Sequence, residues 1–155
     1  MQRHQIVTEL KHLLAEVPRR ISAFPEPEMM DKPDPVRWSK QEILGHLADS
    51  ALHNWQRFAN VQFAPQPFRY EPYDQDNLVR VNGYNALPRA ELLTLWEALN
   101  RQIIRVLEKV PEAALDYVAV HAGSGQSYTV RELAEDYVAH LKHHLQQIFQ
   151  PNAHP

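Results

Sequence analysis

The chain has 155 residues, which fits one domain with a sizeable hydrophobic core. Hydrophobic residues make up 44% and charged residues 23%, values ordinary for a soluble globular protein and unlike those of disordered or fibrous ones. The net charge of -3 excludes a general attraction to nucleic acid or to an anionic membrane. There is no cysteine, so a transition-metal site would have to use histidine, carboxylate or water.

The N-terminal sequence MQRHQIVTELKHLLAEV carries charges throughout and has no uninterrupted apolar stretch, unlike a signal peptide. No segment approaches the ~18 apolar residues typical of a membrane-spanning helix. The sequence also shows no internal repeat, no low-complexity tract and no linker between domains. It therefore predicts a single cytoplasmic domain over residues 1–155, without a membrane partner.

Apolar residues at helical spacing predict a first amphipathic helix over residues 3–17, ending at Pro18. Residues 22–37 are rich in proline and are predicted to form a loop or an extended crossing. Ser39 then begins an S-x-x-E capping box, a signature of a helix start. It predicts a second helix that runs to about Val61.

Residues 62–87 form a long connection, and connections of this length in compact domains are often functional. A short helix is predicted within it, near residues 74–83. The third helix is predicted to start near Pro88, because proline suits the first helical position, and to stop at Pro111. Residues 112–128 follow as a predicted loop.

Val118 and Val120 predict a short extended piece inside that loop, but four glycines give little support for a turn-rich β-protein. Thr129 begins a T-x-x-E capping box, and the fourth helix is predicted to run from there to about Phe149, before Pro151. The predicted fold is therefore all-α, a four-helix bundle with a long connection between the second and third helices.

Two histidines lie in the centre of the predicted inward face of the fourth helix. Each residue advances about 100° around a helix, which places His140 and His144 in one stripe with Leu133, Tyr137 and Ile148. Because they are four residues apart, both rings can reach one point. Helical spacing alone supports a metal site and a hydrogen-bonded pair of core histidines about equally.

His46 lies at the edge of the inward stripe of the second helix, from where it could bring a third imidazole to the same ion. Three protein ligands plus solvent are typical of an open, reactive metal site, whereas structural zinc normally has four. Asp49 lies three residues later on the same broad side. It is a candidate to accept a proton or to orient a bound water, with a solvated surface carboxylate as the equal alternative.

The other histidines are predicted not to bind the same ion. His53 follows His46 by two helical turns, about 10 Å. His143 points about 100° away from His144 and is expected to be partly exposed, with the mouth of the site as a second interpretation. Surface positions are predicted for His4, His12, His121 and His154. Capping or turn roles, with a substrate-loop role as the alternative, are predicted for Asp74, Asp76 and Asn77.

Three segments resemble the DinB/YfiT-like superfamily. WSKQEILGHLADSALHNWQRF is similar to its second helix and YTVRELAEDYVAHLKHHLQQI to its fourth, through the runs W-S-x-x-E-x-x-x-H-x-x-D-S and H-x-x-H-H. YDQDNLVRVNGYN resembles the linker after the second helix. The resemblance covers about Trp38 to Gln150.

The resemblance implies a four-helix bundle with one divalent metal ion, nickel or zinc, held by His46, His140 and His144, and commonly a homodimer. It implies a thiol S-transferase that joins a low-molecular-weight thiol, such as bacillithiol or mycothiol, to an electrophile, with Asp49 as a possible base. Other members are labelled metal-dependent hydrolases, in which hydroxide on the metal would be the nucleophile. A bundle that binds metal without turnover is the third alternative.

Overall fold

The computed structural model describes residues 1–32 and 34–150, so the predicted position of His154 lies outside the described residues. Two short helices lie between four long ones. In chain order the helices are α1 Arg3–Ser22, α2 Glu26–Met30, α3 Lys40–Asn60, α4 Gln75–Asn82, α5 Arg89–Lys109 and α6 Val130–Phe149. None of the helices in the described part of the chain combines the length and apolar character needed to cross a membrane.

The four long helices form the predicted bundle. α3 packs against both α5 and α6, and α1 packs against the same two helices, which gives the order α1, α5, α3, α6 around the bundle. The core between them includes large side chains with almost no exposed surface, among them Leu44, Trp96, Ile103 and Tyr137. The all-α four-helix bundle is therefore confirmed, and its topology places α3 and α6 side by side.

A three-stranded sheet joins the two long connections. Its strands are β1 Phe68–Tyr70, β2 Val118–His121 and β3 Ser127–Thr129. β2 lies in the middle, parallel to β1 and antiparallel to β3. The predicted extended piece is thus confirmed, but the sequence did not reveal its partner β1, because strand pairing across about 50 residues leaves no local signal.

The first helix does not end at Pro18, which is a correction to the sequence prediction. α1 continues through this proline to Ser22. A proline inside a helix removes one hydrogen bond and costs about 3 kcal/mol. Burial of Val17 and Ile21 on either side of it offsets that cost. The predicted loop also contains α2, which buries the side chain of Met29.

The connection between α3 and α5 is tied firmly to α3. The predicted short helix is confirmed as α4, with Asp74 as its N-cap accepting from the backbone N–H of Asn77 at 3.0 Å. Gly83 ends it in a left-handed conformation, φ 61°, that favours glycine. Beyond it, the Gln41 side chain donates to the backbone oxygens of Tyr84 and Leu87 at 2.8 and 2.7 Å. These bonds hold the connection against α3.

Candidate metal centre

Capping boxes fix the starts of the two helices that carry the predicted site. The Ser39 hydroxyl accepts from the backbone N–H of Glu42 at 3.0 Å, and the Glu42 carboxylate accepts from the Ser39 N–H at 2.8 Å. Thr129 and Glu132 form the same pair of bonds at 3.2 and 2.7 Å. Both boxes predicted from the sequence are confirmed, and they fix the residues at which α3 and α6 begin.

His46, His140 and His144 converge on one point between α3 and α6. The Nε2 atoms of His46 and His140 lie 3.1 Å apart. One ring nitrogen from each of the three residues lies within 4.8 Å of the other two. His46, predicted at the edge of its stripe, has no exposed surface, while His140 and His144 are half-buried. The histidine predicted at the edge of its stripe is therefore the most deeply buried of the three.

Trp38 explains why His46 is buried. Its ring lies 4.9 Å from the imidazole of His46 and 6.4 Å from that of His144, measured between centroids. The sequence did not identify Trp38 as a neighbour of the predicted site. Trp38 precedes the N-cap Ser39 and lies outside α3, so helical spacing does not predict its contact with His46.

Hydrogen-bond partners orient the rings towards the shared point. The Ser50 hydroxyl lies 3.5 Å from Nδ1 of His140, and the side-chain oxygen of Gln147 lies 2.8 Å from Nδ1 of His144. Nδ1 of His46 is buried and has no hydrogen-bond partner among the described residues. Because the Nδ1 atoms of His140 and His144 face these partners, their Nε2 atoms remain free. In His46, Nε2 is the atom nearest to His140.

The three imidazoles are held neutral. Burial, and then the charges of His144 and His140, lower the pKa of His46 to about 3. Burial, and then His144 and His143, lower the pKa of His140 to about 4. Burial also lowers the pKa of His144, against the effect of Gln147. A neutral ring keeps a lone pair available at neutral pH, as a metal ligand requires.

The donor set fits a divalent transition metal. Imidazole binds zinc at about 2.0–2.1 Å, so two nitrogens on a tetrahedral ion lie ~3.3 Å apart. The 3.1 Å between His46 and His140 is close to that value. In the described part of the chain, no carboxylate and no fourth histidine joins the group. Three neutral nitrogens without a fourth protein ligand are typical of an open site.

Asp49 is directed towards the connection after α3. Its Oδ1 atom accepts from the Tyr84 hydroxyl at 2.6 Å and from the Asn82 amide at 3.1 Å. Its Oδ2 atom is buried and has no hydrogen-bond partner among the described residues. Burial raises the pKa of Asp49, and the bonds from Tyr84 and Asn82 oppose this. The carboxylate is buried, so the alternative of a solvated surface position is wrong.

Gly45 allows this arrangement. A Cβ atom at this position would lie 2.0 Å from Cδ2 of Tyr84, so only glycine lets the tyrosine ring rest on α3. This contact could not be predicted from the sequence, because an isolated glycine in a helical pattern indicates close packing but does not identify the partner.

The structure also tests the predictions for His53 and His143, the other histidines near the group. His53 stacks on Tyr73 with ring centroids 4.1 Å apart and an interplanar angle of 3°, and it is not part of the three-histidine group, as predicted. His143 is exposed, with its ring 5.1 Å from that of His144. Asp74 has the predicted capping role.

Comparison with known proteins identifies the family and agrees with the fold. A family model described as the DinB superfamily matches residues 9–148. YfiT from Bacillus subtilis, described as a probable metal-dependent hydrolase with an unusual four-helix bundle topology, superposes with a TM-score of 0.86 at 18% identity, over 95% of this chain and 83% of that one. A mycothiol-dependent maleylpyruvate isomerase superposes with a TM-score of 0.71 at 12% identity, over 94% of this chain and 60% of that one. No curated protein sequence gives a significant match.

Proposed function

The chain belongs to the DinB superfamily, and on this basis we propose that it is an enzyme in which His46, His140 and His144 hold one divalent ion, zinc or nickel. The observation that carries the proposal is the convergence of three neutral imidazole nitrogens within 4.8 Å. A hydrogen-bonded core pair would need two histidines and would leave the third without a role.

The reaction that we propose is transfer of a low-molecular-weight thiol, of the bacillithiol type, to an electrophilic small molecule. When bound, a divalent metal supplies Lewis acidity that lowers the pKa of a thiol or of water. The chain has no cysteine, so the nucleophilic sulfur must come from a cosubstrate. The mycothiol-dependent isomerase of the same fold supports this choice.

Two other residues have defined parts in this proposal. Asp49 is the candidate base, because burial raises its pKa towards neutral pH. Its Oδ2 atom also has no hydrogen-bond partner among the described residues. Trp38 covers His46 and keeps bulk water away from that side of the group.

Metal-dependent hydrolysis is the second candidate, favoured by the likeness to YfiT over 83% of its chain. The same three histidines serve both reactions, since the nucleophile is a water in one and a thiol in the other. A base at Asp49 would be compatible with either reaction.

The decisive experiment combines elemental analysis of the purified protein with a panel of thiols and a model electrophile. We expect about one zinc or nickel per chain and a metal-dependent conjugation rate with at least one thiol. Ester or amide hydrolysis without any thiol reaction would establish the hydrolase instead. A stoichiometric metal without either reaction would indicate a non-catalytic bundle. Light scattering on the same sample tests the predicted homodimer.

A further inference from the structure

Arg57 on α3 has hydrogen-bonding capacity that the protein does not use. Its guanidinium carbon lies 4.3 Å from the centre of the Tyr70 ring and 5.8 Å from that of Tyr73. The side chain is half-buried. Within the described residues it forms neither a hydrogen bond nor an ion pair, so its five N–H donors remain free.

The nearest opposite charge does not satisfy this group. Asp136 on α6 attracts Arg57 electrostatically, but the two side chains form no ion pair. A guanidinium held by aromatic rings, with its donors free, suits two parallel hydrogen bonds to one carboxylate. The rings restrict the arginine before any ligand binds, which lowers the entropy cost of binding.

A chain of contacts links Arg57 to the histidine group. Tyr73 stacks on His53 and approaches Ser50, whose side chain opposes the rise that burial causes in the pKa of Tyr73. The Ser50 hydroxyl lies 3.5 Å from Nδ1 of His140. Ser50 and Arg57 are seven residues apart on α3, which is about 10 Å by helical rise. One small molecule is long enough to span this distance.

We propose that Arg57, flanked by Tyr70 and Tyr73, binds a carboxylate of the small-molecule substrate whose reactive end lies at the histidine group. The site matches a monoanion, because Arg57 supplies one positive charge and burial lowers the pKa of His53 so that it adds none. The carboxylate site stands on its own geometry. Its assignment to the substrate rests on the proposed function.

The first experiment tests the carboxylate site alone, with the full-length protein as purified. Hexanoate and its neutral match hexanol are titrated while NMR shifts are followed. Hexanoate should shift the Tyr73 and His53 signals, and Arg57→Gln should weaken its binding about tenfold or more. Arg105→Gln, which removes the same charge from an exposed face of α5, should leave binding unchanged.

Arg57→Lys is the control for a folding defect, because it keeps the positive charge and removes only the planar guanidinium group. It should bind hexanoate more weakly than the wild type, with an unchanged circular dichroism spectrum. Equal binding by wild type and Arg57→Gln, or shifts confined to residues far from Arg57, would overturn the carboxylate site.

The second experiment tests the link to the histidine group. Mercaptohexanoate and mercaptohexanol are compared as ligands of the cobalt-loaded protein, with thiolate absorbance as the readout. Mercaptohexanoate should bind about tenfold more tightly, and Arg57→Gln should remove the difference. If hexanoate binds through Arg57 but neither thiol changes the cobalt spectrum, the carboxylate site is supported and the proposed thiol transfer is wrong. If both thiols bind equally to the wild type, the proposal that one ligand spans Arg57 and the histidine group is wrong.

Discussion

The Nε2 atoms of His46 and His140 lie 3.1 Å apart although their residues are 94 positions apart in the chain. The contact exists because α3 and α6 pack side by side. Without an ion, two neutral imidazoles at this distance can share one hydrogen bond, with one ring as donor. With an ion, both Nε2 atoms would donate lone pairs instead. Metal binding therefore draws on the packing of two helices and should stabilise it.

Replacing His140 and His144 together with alanine should abolish metal retention. Each substitution removes one of the three nitrogen ligands, and the remaining His46 offers only one ligand atom. Metal content by elemental analysis should fall from about one ion per chain to near zero. The matched control is His12→Ala, an exposed histidine on α1, which should retain metal. Full occupancy in the double variant would mean that the site lies elsewhere.

Trp38 should report metal binding by fluorescence. Its ring centroid is 4.9 Å from that of His46, so bound nickel would lie close enough to quench its emission. Titration of the metal-free protein with nickel should lower tryptophan fluorescence. Trp38→Phe should remove most of this change, whereas Trp55→Phe, on α3, should preserve it. Quenching that survives in Trp38→Phe would contradict the position of the site.

Asp49→Asn should separate a base from a structural carboxylate. Asparagine keeps an oxygen that accepts from the Tyr84 hydroxyl, so the fold should persist while the proton acceptor is lost. We expect activity to fall by about 10²-fold or more, with little change in the unfolding midpoint. Tyr84→Phe removes the hydrogen bond and keeps the base, so it should affect stability more than turnover. An Asp49→Asn enzyme with wild-type activity would exclude Asp49 as the base.

Gly45→Ala should destabilise the protein, although alanine favours a helix over glycine by about 1 kcal/mol. Its Cβ would lie 2.0 Å from the Tyr84 ring, and overpacking of this kind costs about 1–3 kcal/mol. Urea unfolding measures the difference. In a Tyr84→Ala background the same substitution should be neutral or stabilising. Stabilisation by Gly45→Ala in the wild type would show that the ring does not rest on this glycine.

The metal-free protein should lose stability on acidification. The pKa of His46 is lowered to about 3 and that of His140 to about 4, from 6.5 for the free side chain. The unfolded chain therefore binds more protons in this interval, and the free energy of unfolding falls as pH drops below about 6.5. Asp49, with its raised pKa, acts in the opposite direction at lower pH.

Urea unfolding with a chelator at about pH 7 and about pH 5 checks this sign. His140→Gln should show a smaller loss of stability between the two values than the wild type. An equal loss in both proteins would assign the acid sensitivity to other groups.

The sequence by itself determined the helices and the pairing of His140 with His144. Both follow from local rules: the capping boxes at Ser39 and Thr129 start α3 and α6, and a four-residue spacing places two rings on one face. Helical periodicity acts over a few turns and is visible in any window of that length. The resemblance to a known family added His46 to the same site.

Tertiary structure alone decided how deep each group lies and what it contacts. Burial of His46 under Trp38, the Tyr84 ring on Gly45 and the free guanidinium of Arg57 depend on which helices become neighbours. Such contacts join residues that are distant in the chain, and no local pattern encodes the distance between them. The same reason explains why α1 passes through Pro18: packing of its neighbours outweighs a local signal to stop.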